Sequence, residues 1–332
     1  MNAVPSTWQR ELSRAITDPA QLLAELELDP ALAAPARSAS SSFALRVTRS
    51  YLARMRRGDA DDPLLRQVLP QAEELIESPG YGSDPLQEHE ATRAPNLLQK
   101  YAGRALLITT QACAIHCRYC FRREFPYSAQ VEAEEGVGRL RPALDAIAND
   151  ASIEEVILSG GDPLSLGDAR LARITDAIAG MPHVQRLRVH TRQPIVLPSR
   201  VDAGLLTWLG GIRLPTVFVL HTNHPNEIDD EVRAACAKLR AAGVTLLNQT
   251  VLLKGVNDDV ETLAQLSRAL LDAGVVPYYL HLLDRVRGTA HFDVPEAEAL
   301  RLVERLGARL SGYLVPRLVR EIPGAAYKVP VS

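Results

Sequence analysis

Lysine is scarce in this sequence. Of 37 basic side chains only four are lysines, Lys100, Lys238, Lys254 and Lys328, and the other 33 are arginines. Genome composition accounts for most of that bias, but it has one chemical consequence: a reaction that needs a lysine amine has four candidates. Charge of one sign is not in excess either. The 37 basic residues face 40 acidic ones, for a net charge of −3 and a pI near 6.3, whereas a chain that coats nucleic acid is strongly basic. No apolar run approaches the ~18 residues of a membrane-spanning helix. The amino terminus, MNAVPSTWQRELSRAI, carries Arg10, Glu11 and Arg14 where a signal peptide needs an apolar stretch. The expectation is a cytoplasmic protein with neither nucleic acid nor membrane as partner. Cysteine is equally sparse. Three of the four fall within eight residues, at Cys113, Cys117 and Cys120, and a reducing compartment does not favour a disulfide framework, so clustered thiols point to metal.

The chain has 332 residues, 46% of them apolar, enough for one large α/β unit with an appendage or for two ordinary domains. Residues 1–95 are expected to be a helical N-terminal region. They read as short helices between breakers, with Ala- and Ser-rich low complexity from Ala31 to Ser42 and a Pro/Gly stretch from Ser78 to Glu90, and no catalytic constellation. From Arg104 the pattern becomes short β-branched runs alternating with amphipathic segments. The runs are RALLITT, EEVILSG, QRLRVHT, TVFVLHT, TLLNQTVLL and PYYLHLL. Between them lie helical stretches such as LGDARLARITDAIAG and DDEVRAACAKLRAAG, the latter closed by Gly243. Six βα units imply a parallel sheet, either doubly wound or curled into a barrel, and periodicity does not separate the two. Cys113, Gly160 to Asp162, Thr191 to Gln193, His221 to Asn226 and Asp284 all fall just past the carboxyl end of a run. That is the edge where parallel α/β enzymes build their sites.

CAIHCRYC, starting at Cys113, has the spacing CxxxCxxC. It lets three thiolates converge on one inorganic cluster from a single loop. A four-iron cubane bound by three cysteines keeps one iron open, and an open iron can take the amine and carboxylate of S-adenosylmethionine. Structural zinc is the alternative, with His116 or Cys236 as fourth ligand, but such sites usually pair two short knuckles and no second knuckle is present. Cys236 makes an apolar helical stripe with Val232 and Leu239, which reads as a buried core cysteine.

With an aromatic before its last cysteine, this motif resembles the signature of the radical S-adenosylmethionine enzymes, and SGGDPL resembles the segment with which they hold the methionine amino group. LLQKYAGRALLITTQACAIHCRYCFRREFPY, SGGDPL, HTNHPNEI, TLLNQTVLLKGVND, PYYLHLLDRVRGTAHF and SGYLVPRL are together similar to the lysine 2,3-aminomutase family, most densely from Asn96 to Asp259. The likeness is strongest to the branch that serves β-lysylation of translation elongation factor P. The fold this implies is a partial (β/α)6 TIM-like barrel, a radical S-adenosylmethionine core over residues 96–332 that ends in a pyridoxal phosphate lysine segment.

The resemblance also implies site residues. Cys113, Cys117 and Cys120 would ligate a 4Fe–4S cluster. Gly160, Gly161, Asp162, His221 and Gln249 would contact S-adenosylmethionine. Lys328 would anchor pyridoxal 5′-phosphate, although a lysine five residues from the end ordinarily reads as a solvated tail and PGAAY replaces the glycine-rich run that commonly precedes it. Lys100 and Arg104, flanking the first strand's start, would hold the cofactor's phosphate, with Lys100 standing where the family has Arg. Arg122 would take the α-carboxylate of L-lysine. Asp284 and Glu321 would meet its ε-ammonium, with Glu321 in place of the Asp of the free-lysine enzymes.

The implied reaction begins when an electron from a flavodoxin- or ferredoxin-type protein cleaves S-adenosylmethionine. The resulting radical takes a hydrogen from the β-carbon of lysine, and nitrogen moves from C2 to C3 to give (R)-β-lysine. A partner lysyl ligase would attach the product to elongation factor P. Two other readings stay open from the sequence. One is an aminomutase of free lysine or glutamate, whose longer chains carry a cysteine-containing extension where this one stops four residues after Lys328. The other is a non-catalytic metal module docking on a translation protein. Assembly into a homo-oligomer is open too.

Overall fold

The computed structural model describes residues 6–126 and 138–332. The first five residues of the amino-terminal stretch and Tyr127, the last residue of the longest family motif, lie outside the described residues.

Ten strands form one sheet in sequence order: β1 (Thr92–Ala94), β2 (Leu97–Tyr101), β3 (Arg104–Thr110), β4 (Glu155–Gly160), β5 (Arg186–Thr191), β6 (Thr216–Leu220), β7 (Thr245–Val251), β8 (Val276–His281), β9 (Arg317–Arg320) and β10 (Val329–Pro330). From β3 to β9 every neighbouring pair is parallel. A doubly wound sheet reverses its order at a switch point. Here each new strand is added on the same side as the last, and no pairing joins the two edge strands. The result is a barrel-like curl that does not close. The six βα units expected from the sequence are present, and β9 adds a seventh parallel strand.

Most of the longer helices between strands are amphipathic and bury one face. Asp168–Ala179 turns Leu171, Ile174 and Ile178 inward, and Val260–Asp272 does the same with Leu263, Leu266 and Leu270. Each fully buried Leu or Ile is worth about 1.5–3 kcal/mol relative to exposure. Asp230–Ala241 is capped by the Asp229 carboxylate, which accepts from the Val232 N–H, and Gly243 takes φ +84° just past its end, as the glycine position required.

Inside the curl the period of two runs the other way from a soluble core. Ile157 and Ser159, Arg188 and His190, Tyr279 and His281, and Arg317 and Val319 alternate along their strands and face one cavity. Six of these eight inward residues carry polar groups, so the interior is lined for a polar occupant and not packed as an apolar core.

The N-terminal region packs into the same apolar core as the barrel helices, through residues such as Trp8, Leu22, Leu23, Tyr51 and Leu64. The Ala- and Ser-rich segment is ordered: Ala33–Ser40 is a helix whose Ala36 and Ala39 are completely buried. Lys100 precedes β3, as the sequence reading placed it. It lies on a separate strand, β2, which turns back at Gly103 (φ +74°) to pair antiparallel with β3.

Candidate active site

The loop after β3 carries the three cysteines, all partly buried and all free thiols. It is held from the N-terminal region. Glu74 accepts two hydrogen bonds from Arg118 (2.8 and 2.6 Å) and one from Arg123 (2.7 Å), and the Arg118 N–H donates to the Gln67 carbonyl at 2.8 Å. The other support is the SGGD segment. A Cβ on Gly160 would stand 2.4 Å from the Thr110 carbonyl, and one on Gly161 would stand 2.5 Å from the carbonyls of Gln111 and Ala112. Both glycines are demanded by this approach of the two loops. Asp162 then staples β4 to β5: its carboxylate accepts from the Thr191 hydroxyl (2.7 Å) and from the N–H groups of Arg192 (2.7 Å), Gln193 (3.1 Å) and Leu164 (3.0 Å). Its oxygens are therefore engaged within the protein, which leaves the loop backbone as the part that can meet a ligand.

The chemistry of the donor set fits a metal cluster. Burial raises the Cys113 thiol well above its usual value, and Cys120, Asp162 and Cys117 raise it further; the Cys120 thiol is pushed up to about 11 by burial and by Cys117. Thiols such as Cys113 and Cys120, whose ionisation burial and neighbouring sulfurs oppose, are what a cation would stabilise. Among the described residues no three metal-ligating side chains already stand in binding geometry, and Cys117 Sγ accepts a hydrogen bond from Arg192 Nη1 at 2.8 Å. The proposed fourth ligands of a zinc site are engaged elsewhere. His116 Nδ1 is 2.8 Å from the Ala44 carbonyl, and Cys236 is buried on helix Asp230–Ala241.

Beside this loop, the barrel interior holds a cavity of about 360 Å3. It brings together eight residues singled out from the sequence: Lys100, Arg104, Arg122, His221, Gln249, Asp284, Glu321 and Lys328. Lys328 reaches it because β10 pairs back on β9, with Val329 opposite Arg320. The residues just beyond that pair, Lys328 and Glu321, then meet at 2.6 Å. Glu321 also receives Lys100 at 2.7 Å, Lys100 reaches Glu88 at 3.0 Å, and Glu88 accepts from Arg122 Nε and Nη2 at 2.8 and 2.7 Å. Five charges thus alternate in sign from one end of the cavity to the other. Arg122 Nη1 also donates to Ser159 Oγ at 3.0 Å.

The charges set each other's ionisation. Burial alone would raise the Glu321 carboxyl, but Lys328 and then Lys100 hold it below the usual carboxylate range. Asp284 is pushed up to about 7, by burial first and then by Glu321. His221 falls to about 3 through burial and the cations Arg192, Lys328 and Arg122, so it is neutral at ordinary pH. His190 and His281 are lowered for the same leading reason, burial. The Nε2 atoms of all three histidines, Arg104 Nε and the Tyr101 hydroxyl find no hydrogen-bond partner among the described residues. Buried polar atoms of this kind normally have partners, so a polar ligand fits the cavity they line.

Three features were not legible in advance. Glu88 comes from the Pro/Gly stretch in which no site was expected. Arg192 lies in a strand-end segment that was noticed, yet nothing in the sequence showed its buried contacts with Glu227 (2.9 Å), Gln67 (2.8 Å), Tyr51 (3.2 Å) and the Tyr119 hydroxyl. His190 and His281 are foreshadowed only by polar residues at alternate strand positions.

Residues 107–266 match the Radical SAM superfamily. The chain is 47% identical to L-lysine 2,3-aminomutase of Escherichia coli (strain K12), covering 98% of this chain and 94% of that one. This chain belongs to the L-lysine 2,3-aminomutase family. A second family member, from Haemophilus influenzae, is 45% identical over 97% of this chain and 94% of its own. The aminomutase of Clostridium subterminale is 37% identical over 87% of this chain and 69% of its own. Among solved structures, a radical SAM methyltransferase from Sphaerobacter thermophilus superposes with a TM-score of 0.50 at 16% identity over 68% of each chain, which shows a shared fold. The activity that goes with membership of the aminomutase family is an isomerisation of lysine by radical S-adenosylmethionine chemistry, and the family's cofactors are a 4Fe–4S cluster, S-adenosylmethionine and pyridoxal phosphate. Among the described residues no helix is long and apolar enough to cross a membrane.

Proposed function

We propose that this chain converts L-lysine to (R)-β-lysine for the β-lysylation of translation elongation factor P, with pyridoxal phosphate held by Lys328. The observation that carries the reading is the meeting of Lys328, Glu321, Asp284 and Arg122 in one cavity beside the cysteine loop. When bound, the cluster and S-adenosylmethionine supply a hydrogen-abstracting radical, and pyridoxal phosphate supplies the electron delocalisation that lets an amino group move between adjacent carbons.

The protein's part is position. Arg122 offers a guanidinium for the α-carboxylate of lysine. Asp284 and Glu321, toward the opposite end of the charge chain, offer carboxylates for the ε-ammonium, so the cavity measures the length of a free lysine. Arg104 supplies a cation for the cofactor's phosphate. Lys100, whose ammonium also bonds Glu88 and Glu321, offers a second cation for that phosphate. His221 and Gln249 offer neutral hydrogen-bonding groups toward S-adenosylmethionine, and the enclosed interior keeps water from the reacting centre.

The 43–47% identity to three L-lysine 2,3-aminomutases supports the lysine isomerisation itself, and the elongation-factor part of the reading rests on the sequence motifs that resemble that branch. The deciding experiment supplies the reduced, cofactor-loaded protein with free lysine or with lysylated elongation factor P, and follows β-lysine by chiral chromatography. Free lysine is expected to turn over faster. Faster rearrangement of the protein-linked lysine would contradict the role given to Arg122 and place ligation before isomerisation. A reductant of flavodoxin or ferredoxin type belongs to the same proposal.

A further inference from the structure

Glu88 is 1% exposed, comes from a loop outside the sheet, and reaches into the cavity between two cations. Its backbone is fastened at both sides. The Glu88 N–H donates to Asp84 Oδ1 at 2.9 Å, its carbonyl accepts from the Thr92 hydroxyl at 3.0 Å, and the residue before it, Gln87, is held at φ +49°. Gln87 is one of three non-glycine residues with positive φ among the described residues, and such a conformation persists only where the surroundings impose it. The carboxylate grips Arg122 by its Nε and Nη2 edge, the two-toothed geometry that fixes a guanidinium's plane as well as its place. Arg122 and Lys100 hold the Glu88 carboxyl below its usual range against the opposing effect of burial, which leaves it charged.

We propose that Glu88 is a positioning residue for substrate recognition: it fixes the plane in which Arg122 meets the lysine carboxylate and ties that guanidinium to Lys100, the middle member of the charge chain. The inference rests on the role proposed for Arg122. Glu88 does not give way to the substrate, because a buried carboxylate stripped of its arginine is strongly disfavoured. Its negative charge also keeps Arg122 and Lys100 from attracting any passing anion, so selection rests on the geometry of the fork.

The test compares lysine with lysinamide, which lacks the carboxylate, as ligands of the cofactor-loaded protein under anaerobic calorimetry. In Glu88→Gln the shape is kept and one hydrogen bond to the fork is lost. The Kd for lysine is expected to rise about ten-fold or more while that for lysinamide stays put, with kcat at saturating lysine little changed. An unchanged preference for lysine, or equal weakening of both ligands together with a lower melting temperature, would overturn the proposal. Glu88→Asp, which keeps the charge but withdraws it by one methylene, is read the same way and decides the matter if the glutamine variant does not fold. Arg122→Lys separates the two layers. If it retains the preference, the role of Arg122 is wrong. If it loses the preference while Glu88→Gln keeps it, only the role of Glu88 is wrong.

Discussion

Lys328 Nζ and Glu321 Oε2 stand 2.6 Å apart at the loop end of the hairpin formed by β9 and β10. They are seven positions apart in the chain, and PGAAY, the sequence that replaces a glycine-rich run, lies between. The hairpin register is what turns a lysine near the end of the chain into a wall of the barrel interior.

Borohydride reduction of the holoenzyme should therefore trap a phosphopyridoxyl group on Lys328, located by peptide mapping. A label on Lys100, Lys238 or Lys254 would assign the anchor elsewhere.

Asp284 gives a pH dependence. Its carboxyl is pushed up to about 7, above the ordinary value near 4, so the folded chain retains a proton that the unfolded chain has released. Stability from this group is present at low pH and is lost as pH rises from about 4 through about 7. Asp284→Asn should raise the melting temperature at pH 8 relative to the native chain and not at pH 4. Lysine recognition moves oppositely, because the ε-ammonium needs the carboxylate. The KM for lysine should fall as pH rises through about 7, and Asp284→Asn should flatten that profile. Asp284→Ala should reduce lysine turnover by about two to three orders of magnitude, from the roughly 3–5 kcal/mol lost when one partner of a buried charge pair is removed. Loss of every activity together with stability would instead mark Asp284 as a loop cap.

Iron content separates the cysteines. Replacing Cys113, Cys117 or Cys120 by Ala should abolish iron retention after anaerobic reconstitution. Cys236→Ala should keep the iron and cost only a core methyl-sized void, about 1 kcal/mol. Equal loss of iron at Cys236 would refute the three-cysteine assignment.

The two departures from the family pattern at Lys100 and Glu321 touch each other at 2.7 Å. Lengthening one side chain while shortening the other keeps the reach of the pair. Lys100→Arg and Glu321→Asp should each lower kcat/KM for lysine, and the double variant should recover part of the loss, with a coupling energy of about 0.5–3 kcal/mol. Strict additivity would show that the contact carries no function.

Gly160→Ala should fail by sterics. The added methyl would stand 2.4 Å from the Thr110 carbonyl, at a residue whose φ of +121° already disfavours any side chain. A fall in melting temperature with loss of iron binding is expected, because the strand end that carries the cysteine loop must move. A variant with native stability would mean that the two loops do not approach as closely as described.

What the sequence determined by itself is what local pattern can carry. The continuous apolar run in EEVILSG, the alternation in QRLRVHT, the cap at Asp229 with Gly243 beyond it, and the glycines of SGGD all act within a few residues, and each is found where the pattern puts it. Family likeness added Lys328, Arg122, Asp284 and Glu321 as names without a geometry. Tertiary structure decided the rest. Sheet curl rather than reversal depends on which strands pair, which strand composition does not encode. Arg122 is matched to Glu88 across 34 positions, Lys100 to Glu321 across 221, and Arg192 to Gln67 across 125. In an isolated stretch of chain each of these side chains reads as a solvated charge. Only burial together, in an interior where an unpaired charge is too costly to keep, makes them partners.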